Sequence, residues 1–470
     1  MCIRDSNITG FDKKSIDVPI GRLFGKRDIM ILETLFWPFM NEYKYTQMSK
    51  KEFIKKNNEF TSNLALIENN VSTLGFVTVP VKGLIYYGGK QFGSKLFNKN
   101  KTIIPNSKKI KVSIKSLDQK VKKAIDAAYN RIYKFHSLQK FKDVSYIDKY
   151  QNKVKYKYVP LESVAIYVPG SKVSYPSSVL MSTIPAIVAG VKRIVMINPG
   201  YKGKQNAAVL YAARKCKIKE IYSIGGPSAI AAAAYGTKSI KPVNKIVGPG
   251  NSYVASAKKE VFGDIGIESM TAGPSEVLVV SDNKSNPEWL ASDLIAQAEH
   301  DSLAQCILIS KDKKVLKKTK NEIINQLKSI SRSSIAKKSL MMNGILIFEN
   351  SENKIAEIIN KVGPEHLELN IKNYKSLIPK IKNAGSICLG KYAVMAMTDY
   401  GVPGTNHVLP TNMTSKYSSG LSVSEFIKKI SYINLSKKGI ETLGPSVITL
   451  ATNEGLDGHA KSIKKRLGEL

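Results

Sequence analysis

A chain of 470 residues, 43% hydrophobic and 23% charged with ordinary Gly and Pro counts, is long enough for two or three packed domains and too unbiased for a disordered or fibrous protein. No run reaches the ~18 apolar residues that a membrane helix needs. The best candidate, residues 178–191, contains Pro185 and stops at Lys192-Arg193, and the opening MCIRDSNITGFDKK lacks the apolar core of a secretory signal. The net charge of +35 is carried mostly by Lys rather than Arg, with no Arg-rich helix, zinc finger or aromatic-studded basic strand to focus it. A solvated lysine surface is therefore favoured over specific nucleic-acid binding.

Residues 1–105 are left unplaced: an aromatic cluster (Phe36, Trp37, Phe39, Tyr43, Tyr45) lies among Lys-rich stretches with no persistent period. Ser116 with Gln119 forms a capping-box pattern. It precedes Leu117, Val121, Ile125, Ala128, Ile132 and Phe135, whose spacing predicts one apolar stripe on a helix running to about residue 141. From residue 163, short β-branched runs alternate with helical segments. SVAIYV (163–168), RIVMIN (193–198), EIYSI (220–224), KIVG (245–248), EVLVV (276–280), QCILI (305–309) and GILIF (344–348) read as strands. Helices are expected near 177–191 and 205–216, over the Ala-rich segment that follows EIYSI, after Asn251, and over 287–300. This alternation predicts an α/β protein of two Rossmann-like parallel-sheet units, 106–272 (with the preceding helix) and 273–398. A helical segment, 399–470, follows, with SVSE (422–425) as a second capping box and a helix near 454–467. Four cysteines, Cys2, Cys216, Cys306 and Cys388, stand far apart without a CxxC, which points to neither a disulfide framework nor a thiolate zinc site. A reduced cytoplasm is the simplest compartment.

The five histidines carry most of the chemical information. His136 lies on the first amphipathic helix and reads as structural. His300 (AQAEHD), His366 (GPEHLE), His407 (GTNHVLPT) and His459 (NEGLDGH) sit among Gly, Pro and acidic residues. Gln297 and His300 are three apart and share a helix face. His300 suits zinc, whereas Gln is an uncommon ligand that chemistry alone does not prefer over Glu299 or Asp301; Asp399 and His459 could complete a mixed N/O shell. Glu365-His366 is an acid/base pair behind the Gly363-Pro364 turn. GPGN (248–251), between a strand and a helix, suits an anion at a helix N-terminus, although no GxGxxG fingerprint follows any strand. Residue chemistry alone reaches an α/β enzyme with a site in the C-terminal half, and zinc dependence remains one option beside a helix-end histidine satisfied by a carboxylate.

The strings YVPGSKVSYPSSVLMSTIPAIVAGV, VGPGNSYVASAK, AGPSEVLVVSD, AQAEHD, GPEHLEL, NHVLPT and SSGLSVSEF, in this order from about residue 110 to the C-terminus, resemble histidinol dehydrogenase. The resemblance implies a cytoplasmic homodimer with sites shared between subunits. Each would bind one zinc ion and oxidise L-histidinol to L-histidine through the aldehyde while reducing two NAD molecules, the last step of histidine biosynthesis. By motif, Gln297, His300, Asp399 and His459 would hold zinc. Glu365 would be the base that activates water, and His366 the proton acceptor and donor. Ser275 and Glu454, with the zinc ligands and His366, would contact histidinol, and Tyr167 and Asn251 would contact NAD. His407 receives no role.

Three features depart from the family pattern. Ser228 stands where the family carries a NAD-contacting Gln. DYGVPGTNH is one residue longer between Asp399 and His407, with Pro403 as the insertion. Residues 1–100 form an atypical, foreign-looking extension. A reading from another class is an inactive homologue, or a fusion whose basic N-terminus binds a polyanion; a zinc hydrolase using the GPEH pair without NAD is a third.

Overall fold

Period-two and period-3.6 patterns fix the layers. The computed structural model describes residues 62–68, 71–79, 84–89, 93–98, 114–170, 175–200, 205–268, 273–401 and 403–469; the aromatic cluster at 36–45 and Cys2 lie outside them. Strands β1 (Ser62–Glu68), β2 (Val71–Val79), β3 (Leu84–Gly89) and β4 (Gly93–Asn98) form an antiparallel meander in that order. Helix α1 (Gln119–Ser137) buries Ile125, Ala128, Ile132 and His136. Two details differ from the sequence expectation. Asp118, not Ser116, caps the helix, accepting the Lys120 N–H at 2.6 Å, because its carboxylate also opposes the positive end of the helix dipole. The helix stops at Ser137, and Val121 and Phe135 at the margins of its stripe remain exposed.

After β5 (Val144–Ile147) and β6 (Lys153–Pro160) comes the first parallel unit. Its elements are β7 (Ser163–Tyr167), α2 (Pro176–Ala189), β8 (Arg193–Ile197), α3 (Ala207–Lys215), β9 (Glu220–Tyr222), α4 (Gly226–Tyr235), β10 (Lys245–Val247), α5 (Ser252–Glu260) and β11 (Gly266–Ile267). The sheet order is β11-β10-β7-β8-β9, all parallel. Alternate residues of β7 serve opposite faces. Val164 and Ile166 pack with α1, α2 and α3, while Ala165 and Tyr167 pack with α4 and α5. The order reverses between β7 and β10, so a crevice opens beyond their carboxyl ends, where ligands of open parallel sheets bind.

The second unit repeats the plan with β12 (Glu276–Ser281), α6 (Pro287–Ala298), β13 (Gln305–Ser310), α7 (Lys313–Gln326), α8 (Ser333–Asn343), β14 (Gly344–Phe348), α9 (Glu352–Val362), β15 (His366–Asn370) and β16 (Ser386–Leu389). Its order is β14-β13-β12-β15-β16, again all parallel. Val277, Leu278, Val279 and Val280 of the central strand are essentially fully buried, worth about 1.5–3 kcal/mol per side chain. Helix α6 runs antiparallel to the strands it connects, so its C-terminal turn lies beside the amino ends of β12, β13 and β15.

A short helix α10 (Met395–Asp399) then leads into a long loop and β17 (Ile427–Asn434), followed by α11 (Lys437–Asn453) and α12 (Asp457–Leu467). The segment from 399 is therefore not purely helical: β17 pairs antiparallel with β6, which pairs with β5. The SVSE box is not made. Ser422 precedes a single 3-10 turn and its hydroxyl meets Ser424 instead, because the chain turns straight into β17.

Candidate active site

The amino edge of the second sheet faces the start of α2, which follows the loop beyond β7. Ser178 Oγ on α2 lies 3.4 Å from His407 Nε2, and Asn406 Nδ2 donates to the Met181 carbonyl at 2.7 Å. The loop that carries Asn406 and His407 thus packs on α2 of the first unit.

Gln297 occupies the last turn of α6 and is completely buried, yet neither its amide oxygen nor its amide nitrogen has a hydrogen-bond partner among the described residues. Burying an unsatisfied amide is costly, which argues that something else completes it. His300 follows one turn later, exposed at the helix end. The protein around it still holds its imidazole below the usual value through desolvation, with Glu299 opposing. Asp399 ends α10, and its carboxyl is pushed up to about 7 by burial. A half-buried carboxylate, an orphaned amide and a histidine are, by chemistry, a hard/borderline donor set of the kind a divalent zinc ion takes.

Glu365 and His366 stand at the head of β15, placed there by the left-handed cap of α9 at Gly363 (φ +55°). His366 Nε2 lies 3.6 Å from Asp399 Oδ1 and 3.8 Å from Glu365 Oε1. Burial, with the His407 and His300 rings adding to it, pushes the His366 imidazole down to about 3, so the ring is neutral at pH 7. Burial raises the Glu365 carboxyl well above its ordinary value; the Glu276 N–H opposes this, and the Asp399 and Glu276 charges add to it. A carboxyl and a neutral imidazole at this spacing form an acid/base pair that can accept and pass protons. His407 is likewise neutral, pushed down to about 4 by burial, and its Nδ1 meets the Asp399 carbonyl oxygen at 2.5 Å.

Other expected residues are placed as follows. Ser275 is half-buried immediately before β12. Tyr167 ends β7 and its hydroxyl accepts the Gly226 N–H at 3.1 Å. Asn251 caps α5 through Oδ1 to the Val254 N–H at 3.1 Å, next to Gly248, where a Cβ would lie 2.3 Å from the Tyr167 carbonyl oxygen. Both flank the β7/β10 switch point. Ser228 is buried and donates to the Gly225 carbonyl at 3.2 Å, so its hydroxyl is spent inside the α4 turn. Glu454 and His459 are exposed on the C-terminal helices. Among the described residues no three His, Cys, Asp or Glu groups converge as a metal shell, so His459 is not brought to His300 and Asp399 within one chain.

Several residues escaped the sequence reading. Glu368, two positions after His366 on the same strand face, accepts the Met395 N–H at 2.6 Å and anchors the start of α10. Its carboxyl is also hydrogen-bonded to that of Asp293, one turn before Gln297 on α6. Lys258 donates to both the Gly248 carbonyl and Glu268, pinning the GPGN loop. A charge inside an apolar run, as in EVLVV or HLEL, is the signal that could have exposed such residues.

The family model described as histidinol dehydrogenase matches residues 82–467, starting inside the stretch that the sequence reading leaves unplaced. A histidinol dehydrogenase of Pelagibacter ubique is 74% identical over 373 residues, covering 79% of this chain and 87% of the relative. The chain belongs to the histidinol dehydrogenase family. Histidinol dehydrogenase from Agrobacterium fabrum is 46% identical over 76% of this chain and 82% of its own length. The crystal structure of histidinol dehydrogenase from Elizabethkingia anophelis superposes with a TM-score of 0.75 at 38% identity, covering 78% of this chain and 85% of that one. The family's reaction, a dehydrogenation that completes histidine biosynthesis, is the activity of this chain.

Proposed function

We propose that the chain oxidises L-histidinol to L-histidine by way of L-histidinaldehyde, with two NAD molecules as successive oxidants and one zinc ion in each site. The observation that carries the metal reading is the buried, unpartnered Gln297 amide, three residues before His300 on the same helix face. Zinc, when bound by Gln297, His300, Asp399 and His459, supplies a fixed anchor for the imidazole and amine of histidinol; NAD, when bound, takes up hydride. The rest of the work falls to side chains. His366, neutral at pH 7, accepts the hydroxyl proton at an imidazole nitrogen as the alcohol is oxidised. Glu365 takes a proton from the water that adds to the aldehyde, through Oε1, the oxygen that faces His366. Ser275 and Glu454 orient the substrate. Tyr167 and Asn251 contact the nucleotide at the switch-point crevice.

The site is read as complete only in a homodimer, with Glu454 and His459 reaching the neighbouring copy. Two surfaces support this. Leu443, Val447 and Leu450 lie on one exposed stripe of α11, and Val144, Tyr146, Ile147, Tyr156 and Ile433 are exposed on the β5-β6-β17 sheet. Exposed apolar side chains grouped on one element in this way suit an association face. A cytoplasmic setting agrees with three free, buried cysteines, Cys216, Cys306 and Cys388, and no helix among the described residues is long and apolar enough to cross a membrane.

The test is NADH formation from purified protein with excess NAD and limiting L-histidinol, before and after chelation and zinc repletion. Two NADH per histidinol, lost on chelation and regained with zinc, is expected. No NADH from folded, zinc-loaded protein contradicts the reading.

A further inference from the structure

We infer that Glu276, which has no role in the proposed reaction, is a positioning residue: its carboxylate holds the backbone of Glu365, and so the base itself, against the loop that carries His407. The two residues head neighbouring parallel strands, one step before the pairing of Val277 with His366. Each lends a side-chain oxygen to the other's backbone. The Glu276 N–H donates to Glu365 Oε2 at 3.0 Å, and the Glu365 N–H donates to Glu276 Oε2 at 3.3 Å. The second Glu276 oxygen, Oε1, accepts the Asn412 N–H at 3.0 Å. Asn412 sits in a left-handed turn (φ +52°) and follows Thr411, whose hydroxyl accepts the Gly273 N–H at 2.6 Å.

Both glutamates are buried, so these bonds form where water does not compete. The consequence is directional. Glu365 Oε2 is engaged by a backbone donor that cannot rotate away, which leaves Oε1 toward His366. The same carboxylate of Glu276 ties the Ser275 side of the cleft to the loop that carries His407. Ground-state placement of a base to within a fraction of an ångström decides rate, and a displacement of ~1 Å can cost about 10²-fold.

The inference rests on Glu365 being the base, and a double-mutant cycle separates the two claims. Glu365→Gln alone is expected to lower kcat for oxidation of the aldehyde; full activity in that variant overturns the base reading and the inference with it. Glu276→Gln keeps shape but sets an amide N–H₂ against one of the two backbone N–H donors. It is expected to lower kcat by about 10–100-fold with little change in KM for histidinol. In the Glu365→Gln background the same substitution should cost almost nothing, since the base that Glu276 positions is gone. Equal losses in both backgrounds would show that Glu276 acts through the fold at large and would overturn the inference. Should Glu276→Gln fail to fold, Glu276→Asp, which keeps the charge but withdraws the carboxylate, carries the same cycle. Loss of folding in both makes Glu276 a purely structural residue and also overturns it.

Discussion

His407 Nδ1 donates to the backbone carbonyl oxygen of Asp399 at 2.5 Å, while its Nε2 faces Ser178 Oγ at 3.4 Å. A carbonyl only accepts, so the proton is on Nδ1 and the ring bridges the carboxylate's backbone to the first unit. Pro403, expected from the resemblance to be an insertion, lies between the two partners. It is absorbed in a turn with Gly401 and Gly404 at positive φ, closed by the Gly404 N–H on the Gly401 carbonyl at 3.0 Å, and Asp399 stays within 3.6 Å of His366.

This bond predicts a graded effect on metal retention. His407→Ala frees the end of α10 and should weaken zinc binding by about 10–100-fold, measured by competition with a chelator. His407→Asn, whose amide N–H₂ can replace the Nδ1 donor, should retain most of it. Equal loss in both would mean the ring acts otherwise than through this carbonyl.

Gln297 predicts opposed effects on stability and metal. Gln297→Leu removes two buried polar atoms that lack partners, each costing about 1–3 kcal/mol, from a position of similar volume. The metal-free variant should therefore melt above the metal-free wild type, while zinc no longer raises its Tm. A lower Tm in the metal-free variant would show that the amide has a structural partner.

The Asp293–Glu368 pair gives the pH dependence of the metal-free protein. Burial, and then the Asp293 charge, raise the Glu368 carboxyl to about 8. A group whose folded pKa lies above its unfolded value stabilises fully below the ordinary carboxylate range, and that contribution is lost as pH rises through about 8. Asp399, at about 7, acts in the same direction. Tm should thus fall by a few degrees, on the order expected for one or two groups, between pH 6 and 9. Glu368→Gln, neutral throughout and still able to accept the Met395 N–H, should remove the part of the fall above pH 7. An unchanged slope would contradict the pairing.

The parallel units were legible because buried strands such as EVLVV and QCILI are continuous β-branched runs between helical periods. Strands exposed on both faces were not. In β17, IKKISYIN, seven of eight residues are exposed, so no in/out alternation marks it, and the sequence pattern leaves it inside a segment that reads as helical. At the site, Glu365, His366, Gln297 and His300 stand in distinctive strings, whereas Glu276 and Glu368 act through partners 89 and 27 residues away. A lone charge in an apolar run says that a partner exists without saying which. The same holds for His459, which stands apart from His300 and Asp399 within the single chain and is proposed to serve a second copy.

Whether the site is built across two copies is decided by mixing two inactive variants, Glu365→Gln and His459→Ala, under conditions that exchange subunits. If His459 serves the neighbouring copy, each mixed dimer regains one intact site, and activity should rise to about a quarter of wild type for an even, isologous exchange. If His459 serves its own chain, every site in the mixture lacks one of the two residues, and an exchanged mixture that stays inactive contradicts the account.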